Sequence, residues 1–341
     1  MSTWDDLRGW LDQRDDAHAA AVTAADQTGY ARGHQAGHAL GHQEGYATGY
    51  SDGYAKGRAE QPDPEPEPHR MQVGAALAYR QAGRGAAYVL DYNQTCGPIT
   101  ITRNYDATVN PAKGPRDIPE LKFSADNGWD LCLSIKPGGE STHVYQQMAL
   151  GAYDIQVQRY LDRWNPGQRG YLLIGNEPDQ NKKAIDPAAF RAGVEHLLSA
   201  ITLPEGVKPG IALMRYSWAS YNPRRLTTQW FPQVEGLTLD IHVYGASTWR
   251  TPAQELDDVL ADLPASWTWG IGETNAAEDP EDPGRKARYL TDLADYTHAH
   301  GGRFFIPFGA PSAPEEENRE INTSSQVQAA LKAIATKYGS V

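Results

Sequence analysis

Cysteine is scarce in this sequence, which has only Cys96 and Cys132 among its 341 residues. Their separation does not match the spacing of metal ligands, and a single possible pair cannot form the disulfide framework of a small secreted domain. We interpret both as ordinary semi-buried thiols. The sequence therefore predicts no disulfide framework, no structural zinc site and no metal or other cofactor.

Long apolar runs are also missing. No segment is apolar over the roughly 20 residues that a membrane-spanning helix needs. The first residues, Met1-Ser2-Thr3-Trp4-Asp5-Asp6, lack the basic start and the apolar stretch of a secretory signal. We expect neither a membrane span nor a classical signal peptide.

Basic residues are outnumbered, with 31 Lys and Arg against 43 Asp and Glu, for a net charge of −12. A surplus of negative charge disfavours binding to nucleic acid and to anionic membranes. A hydrophobic content of 40% permits a sizeable core. The length is compatible with one large α/β domain and an appendage.

The amino-terminal region contains a repeat. Residues 1–28 have helical character, and from residue 29 to residue 60 glycine recurs at every fourth position. In a lone α-helix, successive glycines at this spacing would be displaced by about 40° around the helix axis, so they would not mark one face. Each glycine would also destabilise the helix by about 1 kcal/mol. We interpret residues 29–60 as a segment that forms a homo-oligomer or docks to a larger assembly. It resembles, at low specificity, glycine-rich assembly segments of phage tail and secretion-apparatus proteins.

Three histidines of this repeat, His34, His38 and His42, are spaced by four residues and raise the question of a metal site. Tyrosines occupy the equivalent places later in the repeat, for example Tyr46 and Tyr50, and a tyrosine would not replace such a ligand. Aromatic packing against glycine explains the pattern better than a metal does.

Residues 61–70 alternate proline with acidic residues. This composition favours an extended polyproline II spacer of about 3.1 Å per residue. We place a domain boundary there, so residues 71–341 form the folded domain.

From residue 71 onward, strand-like segments alternate with helical ones, which is typical of βα units. The predicted strands are residues 72–78, 99–105, 129–135, 171–175, 210–215, 238–243, 268–272 and 303–308. Residues 86–92 have strand propensity, but they lie too close to Ile99 for a crossover between parallel strands, so we assign them to the first helix. Asp186 and Thr251 are predicted helix N-caps. Eight units predict a (β/α)₈ TIM barrel, of the α/β class.

Two of the predicted strands deliver a glutamate. The fourth runs through Tyr171-Leu172-Leu173-Ile174 into Gly175-Asn176-Glu177-Pro178, and the seventh ends at Gly272-Glu273. Catalytic groups of such barrels lie at the carboxyl ends of the strands. A pair of glutamates is what glycoside hydrolysis requires, one as proton donor and one as nucleophile.

With these residues, the chain from 71 to 341 resembles the clan-A glycoside hydrolases. The segment Asn176-Glu177-Pro178 is similar to the Asn-Glu-Pro motif of that superfamily, and Gly272-Glu273-Thr274-Asn275 looks like its nucleophile strand. The resemblance implies that Glu177 is the acid/base, that Asn176 binds a sugar 2-hydroxyl and that Glu273 is the nucleophile.

The resemblance extends to three further positions. Arg103, near the end of the second predicted strand, matches an arginine that hydrogen-bonds the nucleophile. His242 and Tyr244 resemble a His-x-Tyr element in which alternate side chains face the substrate. Phe308 departs from the pattern, because many members have a tryptophan there.

Tryptophans near the predicted strand ends suit stacking on the apolar faces of sugar rings. We predict Trp218, Trp249 and Trp269 as substrate-binding residues, although each could instead pack in the core. Lys136 could bind substrate, but a solvated loop charge is the better interpretation.

Three functions remain open. The sequence favours a retaining glycoside hydrolase that acts on a polysaccharide and is attached to a larger assembly such as a phage tail. The alternatives are a non-catalytic glycan-binding adhesin and a structural virion or tail protein. We expect a location in a virion or outside the cell, reached by a non-classical route.

The interpretation of the repeat can be tested by measuring molecular mass. We expect the full chain to form an oligomer in solution and a chain lacking residues 1–70 to be a monomer, as measured by light scattering. An unchanged oligomeric order after truncation would show that the repeat does not assemble the protein.

Overall fold

We describe the chain from a computed structural model, which covers residues 70–77, 85–106, 119–180, 184–219, 227–245, 249–309 and 324–339. The predicted amino-terminal helix, the glycine repeat and all of the linker except Arg70 lie outside the described residues. None of the described helices has the length and apolar character needed to cross a bilayer.

Eight parallel strands form a closed barrel in the order of the sequence, with β1 paired to β8. The strands are β1 (Gln72–Leu77), β2 (Ile101–Asp106), β3 (Asp130–Ile135), β4 (Gly170–Ile174), β5 (Val207–Met214), β6 (Thr238–Gly245), β7 (Thr268–Ala276) and β8 (Phe304–Gly309). The predicted (β/α)₈ architecture is therefore confirmed.

Helices follow the strands and cover the outside of the barrel. They are α1 (Gly85–Cys96), α2 (Pro119–Asp126), α3 (Thr142–Ala149), α4 (Asp154–Leu161), α5 (Pro187–Ala200), α6 (Pro252–Asp262), α7 (Arg285–Ala299) and α8 (Ser325–Tyr338). The fifth unit differs from the prediction, because its described residues contain two short 3₁₀ helices, Arg215–Trp218 and Thr227–Trp230, in place of an α-helix.

Local sequence signals explain several helix boundaries. Residues 86–92 belong to α1, as predicted. The Asp186 side chain accepts a hydrogen bond from the amide of Ala188 at 3.1 Å and starts α5. Thr251 and Gln254 form a reciprocal capping box at the start of α6. The predicted caps are confirmed.

The barrel has two apolar layers of different composition. Its interior contains a cluster to which only strand residues contribute, namely Ala76, Ile101, Cys132, Tyr171, Leu173, Ala212, Phe304 and Ile306. The larger cluster lies between the strands and the helices. The interior cluster fills the barrel as a packed core, so any site must lie at its mouth.

Strand β7 contains one residue more than its neighbour β6. Ile241 pairs with Ile271, but the following residue, His242, pairs with Glu273, so Gly272 is the extra residue of a bulge. Successive side chains of a strand face opposite sides, and an extra residue reverses the facing of every residue after it. The bulge thus places Glu273 on the inner side of the barrel beside His242.

Candidate active site

Glu177 lies on a tight turn that follows β4. The strand ends at Ile174, Gly175 has a φ of +79°, and Glu177 itself has a φ of +53°. A side chain at Gly175 would also meet the hydroxyl of Tyr145. The Glu177 amide donates to the carbonyl of Ala212 in β5 at 3.1 Å. Non-glycine residues with positive φ are uncommon and concentrate at functional sites.

Asn176, in the same turn, is held from two directions. Its amide donates to Oε1 of Glu140 at 2.7 Å, and its side-chain oxygen accepts from Nη2 of Arg103 at 3.2 Å. Lys136 lies 3.2 Å from the other oxygen of Glu140. Lys136 therefore supports the turn through Glu140.

Glu273 accepts hydrogen bonds on both of its oxygens. Tyr105 in β2 donates to Oε1, and Tyr244 in β6 donates to Oε2. Burial, with the neighbouring Glu273 carboxylate also contributing, raises the pKa of both phenols well above the ordinary value. Both tyrosines are therefore protonated donors at neutral pH, and the carboxylate is the acceptor.

A buried ion pair lies directly below the two glutamates. Arg103, which is 1% exposed, donates to Asp240, and Nη2 of Arg103 also bonds Oγ of Ser134 at 3.1 Å. Its Nε lies 3.8 Å from Oε1 of Glu273. Asp240 in turn accepts the amide of Gly272 at 2.6 Å, so the ion pair holds the bulge of β7.

His242 connects the two glutamates. Its Nδ1 lies 2.7 Å from Oε1 of Glu177 and 3.5 Å from Oε2 of Glu273. On the other side of the ring, Nε2 lies 3.0 Å from Arg103 and 3.2 Å from Asp240. The imidazole is 1% exposed, and its position fixes the spacing of the two carboxylates.

The three groups that meet at His242 also have the donor types of a metal site. One donor atom from each of Glu177, His242 and Glu273 lies within 4.8 Å of the others, and no second grouping of this kind occurs among the described residues. Hydrogen bonds within the site already account for the position of each side chain, so the arrangement is explained without an ion.

Two of the three predicted substrate-binding tryptophans are buried in the core. Trp218 is 2% exposed, packs against Phe231 and donates to Asp262 at 3.1 Å. Trp269 is 4% exposed, lies on the outer side of β7 and donates to the carbonyl of His300 at 3.1 Å. The prediction that these two indoles stack on substrate is wrong, because neither has an accessible ring face.

Trp249 and Phe308 remain partly exposed. Trp249 follows β6; its ring meets Tyr289 edge-on at 5.8 Å, and the Arg285 guanidinium lies 4.8 Å from the ring centre. Phe308 lies near the end of β8, against the interior cluster, with its ring 6.4 Å from that of Tyr244. Phe308 thus lies beside Tyr244, which donates to Glu273.

Four residues of the site were not predicted from the sequence: Tyr105, Asp240, Asp179 and Glu140. Tyr105 comes two residues after Arg103, and Asp240 comes two residues before His242, so strand alternation would have placed both on the inner side. Glu140 follows Ile135 in an irregular segment, and no sequence pattern indicates its contact with the turn.

Asp179 joins the turn of Glu177 to the end of β5. Its carboxyl accepts the amide of Met214 at 3.0 Å and the hydroxyl of Ser217. Burial raises the pKa of Asp179 to about 7; the nearby Glu177 carboxylate contributes to this shift, and the hydrogen bonds from Ser217 and Met214 oppose it. Asp179 is thus a buried acid that anchors the turn.

No known protein-family profile and no curated protein matches this sequence. Solved structures do resemble the barrel. A glucosidase from Croceicoccus marinus matches with 16% identity and a TM-score of 0.51, over 80% of this chain and 69% of its own. An endo-β-1,4-glucanase from Xanthomonas axonopodis pv. citri matches with 11% identity and a TM-score of 0.51, over 79% and 100%.

A GH5-4 broad specificity endoglucanase from an uncultured bacterium matches with 12% identity and a TM-score of 0.54, over 80% of this chain and 95% of its own. All three neighbours are glycoside hydrolases by name. At such low identity the likeness shows the fold, and it confirms the resemblance to glycoside hydrolase barrels at that level.

The bulge leads to a prediction for Gly272→Ala. A Cβ at this position would overlap Nη1 of Arg103 and Oδ1 of Asp240, both of which are buried. We expect the free energy of unfolding to fall by roughly 1–3 kcal/mol, measured by urea denaturation. The control is Gly284→Ala, where the nearest atom is the end of the flexible Arg288 side chain. Equal stability of the two variants would contradict the described packing.

A second prediction concerns Asp179→Asn. Because the folded protein binds a proton at Asp179 more tightly than the unfolded chain does, this group's contribution to stability falls as pH rises from about 4 to about 7. Asparagine cannot ionise, so the variant should gain stability relative to wild type across this range, by about 1.4 kcal/mol per unit of pKa difference.

The measurement is urea unfolding of both proteins at several pH values between about 4 and about 8. The exposed Asp292→Asn serves as the control and should follow wild type. A stability difference between Asp179→Asn and wild type that does not change with pH would contradict the pKa assigned to Asp179.

Proposed function

We propose that the barrel is a retaining glycoside hydrolase that acts on a polysaccharide, with Glu177 as acid/base and Glu273 as nucleophile. The observation that carries this proposal is the convergence of the two glutamates on His242, with an oxygen of each within 4.8 Å of the other. Retaining enzymes have carboxyl groups about 5–5.5 Å apart, whereas inverting enzymes need roughly 6.5–9.5 Å to admit a water molecule.

The chemistry would proceed in two steps. Glu177 donates a proton to the glycosidic oxygen while Glu273 attacks the anomeric carbon, which gives a covalent glycosyl-enzyme and releases the first product. Water, deprotonated by Glu177, then attacks the same carbon and releases Glu273. The surroundings support these roles, because Glu273 is held by two phenol donors and lies close to Arg103.

The remaining predicted site residues differ in how exposed they are at the site. Asn176 lies in the turn that carries Glu177, and Tyr244 donates to Glu273. Trp249 follows β6 and is partly exposed. We propose these three as substrate contacts. Arg103 and His242 are each 1% exposed, so we propose that they act by holding the carboxylates.

Attachment to a larger assembly, such as a phage tail, is a separate proposal. It rests only on the glycine repeat of residues 29–60 and the acidic proline-rich linker. A location in a virion or outside the cell follows from the same two segments. The negative net charge supports a partner other than nucleic acid or an anionic membrane.

The proposed chemistry predicts the effect of Glu177→Gln and Glu273→Gln. We expect each to lower kcat by roughly 10²–10⁴-fold, because each removes a group that takes part in the reaction. The measurement is release of reducing ends from a panel of polysaccharides. The panel begins with soluble β-1,4-glucan, since two of the structural neighbours are endoglucanases. The exposed Glu205→Gln is the control and should keep wild-type activity.

Two outcomes would contradict the proposal. Absence of turnover by the wild-type chain on every polysaccharide, or turnover that both variants retain, would reject catalysis and favour a glycan-binding or structural role. The anomer of the first product, followed by NMR, tests the mechanism, and inversion would reject the covalent intermediate.

A further inference from the structure

The two oxygens of Glu273 are held by hydroxyls that come from different strands. Tyr105 reaches Oε1 from β2, and Tyr244 reaches Oε2 from β6. A hydrogen bond to one oxygen alone leaves a carboxylate free to turn about its Cγ–Cδ bond. Two donors on separate oxygens fix its plane.

Tyr105 is itself fixed by its neighbour on the strand. Arg103 and Tyr105 are two residues apart in β2 and face the same side, with the guanidinium carbon 4.9 Å from the centre of the phenol ring. A cation over an aromatic ring is attractive, particularly where it is shielded from water. The ion pair below the site therefore also positions the hydroxyl of Tyr105.

The geometry distinguishes the two oxygens of Glu273. Oε2 lies 3.5 Å from Nδ1 of His242, and the same nitrogen lies 2.7 Å from Glu177. Oε2 is thus on the side of the proton donor, where the bond to be cleaved would lie. Oε1 is on the other side, between Tyr105 and Nε of Arg103 at 3.8 Å.

We propose that Tyr105 is a positioning residue, which holds Oε1 of Glu273 so that Oε2 points at the anomeric carbon. This inference rests on the proposed glycosidase function. In the first step the bond between Oε2 and the anomeric carbon forms, the glycosidic bond breaks, and its oxygen takes the proton of Glu177. Oε1 becomes the carbonyl oxygen of the ester and keeps the hydrogen bond of Tyr105.

Tyr105 contributes to the second step as well. Water attacks the anomeric carbon, its proton passes to Glu177, and the electron pair of the ester bond returns to Glu273. Negative charge then reappears on a carboxylate to which Tyr105 already donates. A donor placed where charge develops stabilises the transition state more than the ground state.

The test is Tyr105→Phe, which removes one oxygen atom and keeps the ring beside Arg103. We expect kcat on the best polysaccharide of the panel to fall by about 10–100-fold, with KM changed less than about twofold. Tyr171→Phe, on the interior of β4, is the matched control and should keep wild-type kcat. Thermal unfolding checks that both variants fold.

A double variant separates a shared role from two independent ones. Tyr105 and Tyr244 hold the same carboxylate, so the loss of kcat in the Tyr105→Phe/Tyr244→Phe protein should be smaller than the product of the two single losses. A folded Tyr105→Phe protein with at least half of wild-type kcat, or strictly multiplicative losses, would overturn the proposal.

Crystal structures of wild type and Tyr105→Phe provide a measurement that does not depend on turnover. We expect one carboxylate orientation for Glu273 in wild type and a rotated or doubled orientation in the variant. An unchanged orientation in the variant would overturn the inference about Tyr105. If wild type shows no turnover but the carboxylate is rotated in the variant, the proposed function is rejected. The positioning of Glu273 by Tyr105 would then still be established.

Discussion

The buried ion pair between Arg103 and Asp240 is the interaction on which the rest of the site depends. Both side chains are fully buried, and removing a guanidinium and a carboxylate from water is costly unless their polar atoms find partners. Here the partners are the parts of the site itself. Arg103 donates to the side chain of Asn176, which lies in the turn that carries Glu177. Asp240 accepts the amide of Gly272, next to Glu273. One ion pair thus connects the two segments that carry the glutamates, and loss of either partner would leave the other charge buried and unpaired.

The two glutamates reach the mouth by different backbone devices. Glu177 uses a turn with positive φ, stabilised by the bond from its amide to Ala212. Glu273 uses an extra residue in β7, without which regular alternation would direct its side chain outward, toward the helices. Both devices depart from regular strand geometry, and each is held by a buried carboxyl group, Asp179 for the turn and Asp240 for the bulge.

The sequence predicted the regular part of the structure well and the irregular part poorly. Every predicted strand overlaps an observed one, because apolar runs separated by capped helices are a strong signal. The largest error is at β7, predicted to end at Gly272 and observed to continue to Ala276, since a bulge has no clear pattern in a single sequence. Trp269 was misplaced because nearness to a strand end does not say which face of the sheet a residue takes.

The residues of the site also differ in whether a regular strand pattern could have predicted them. Tyr105 and Asp240 were within reach of the alternation rule, because each stands two residues from a residue that had been identified. Asp179 and Glu140 were not, because their contacts with Met214 and Asn176 join segments about 35 residues apart in the chain and depend on how the loops close. Local periodicity has no information on such contacts.

The charge balance of the mouth agrees with the proposed chemistry. Among Arg103, Asp240 and Glu273, the one guanidinium offsets one of the two carboxylates, which leaves these three groups with a surplus of one negative charge. Glycoside cleavage develops positive charge at the anomeric carbon. The surplus lies on Glu273, the carboxylate closest to where that carbon would be, and the apolar cluster beneath limits screening by water. The ion pair of Arg103 and Asp240, whose burial costs desolvation energy, thus leaves the charge of Glu273 only partly offset, where the transition state of the proposed reaction would need it.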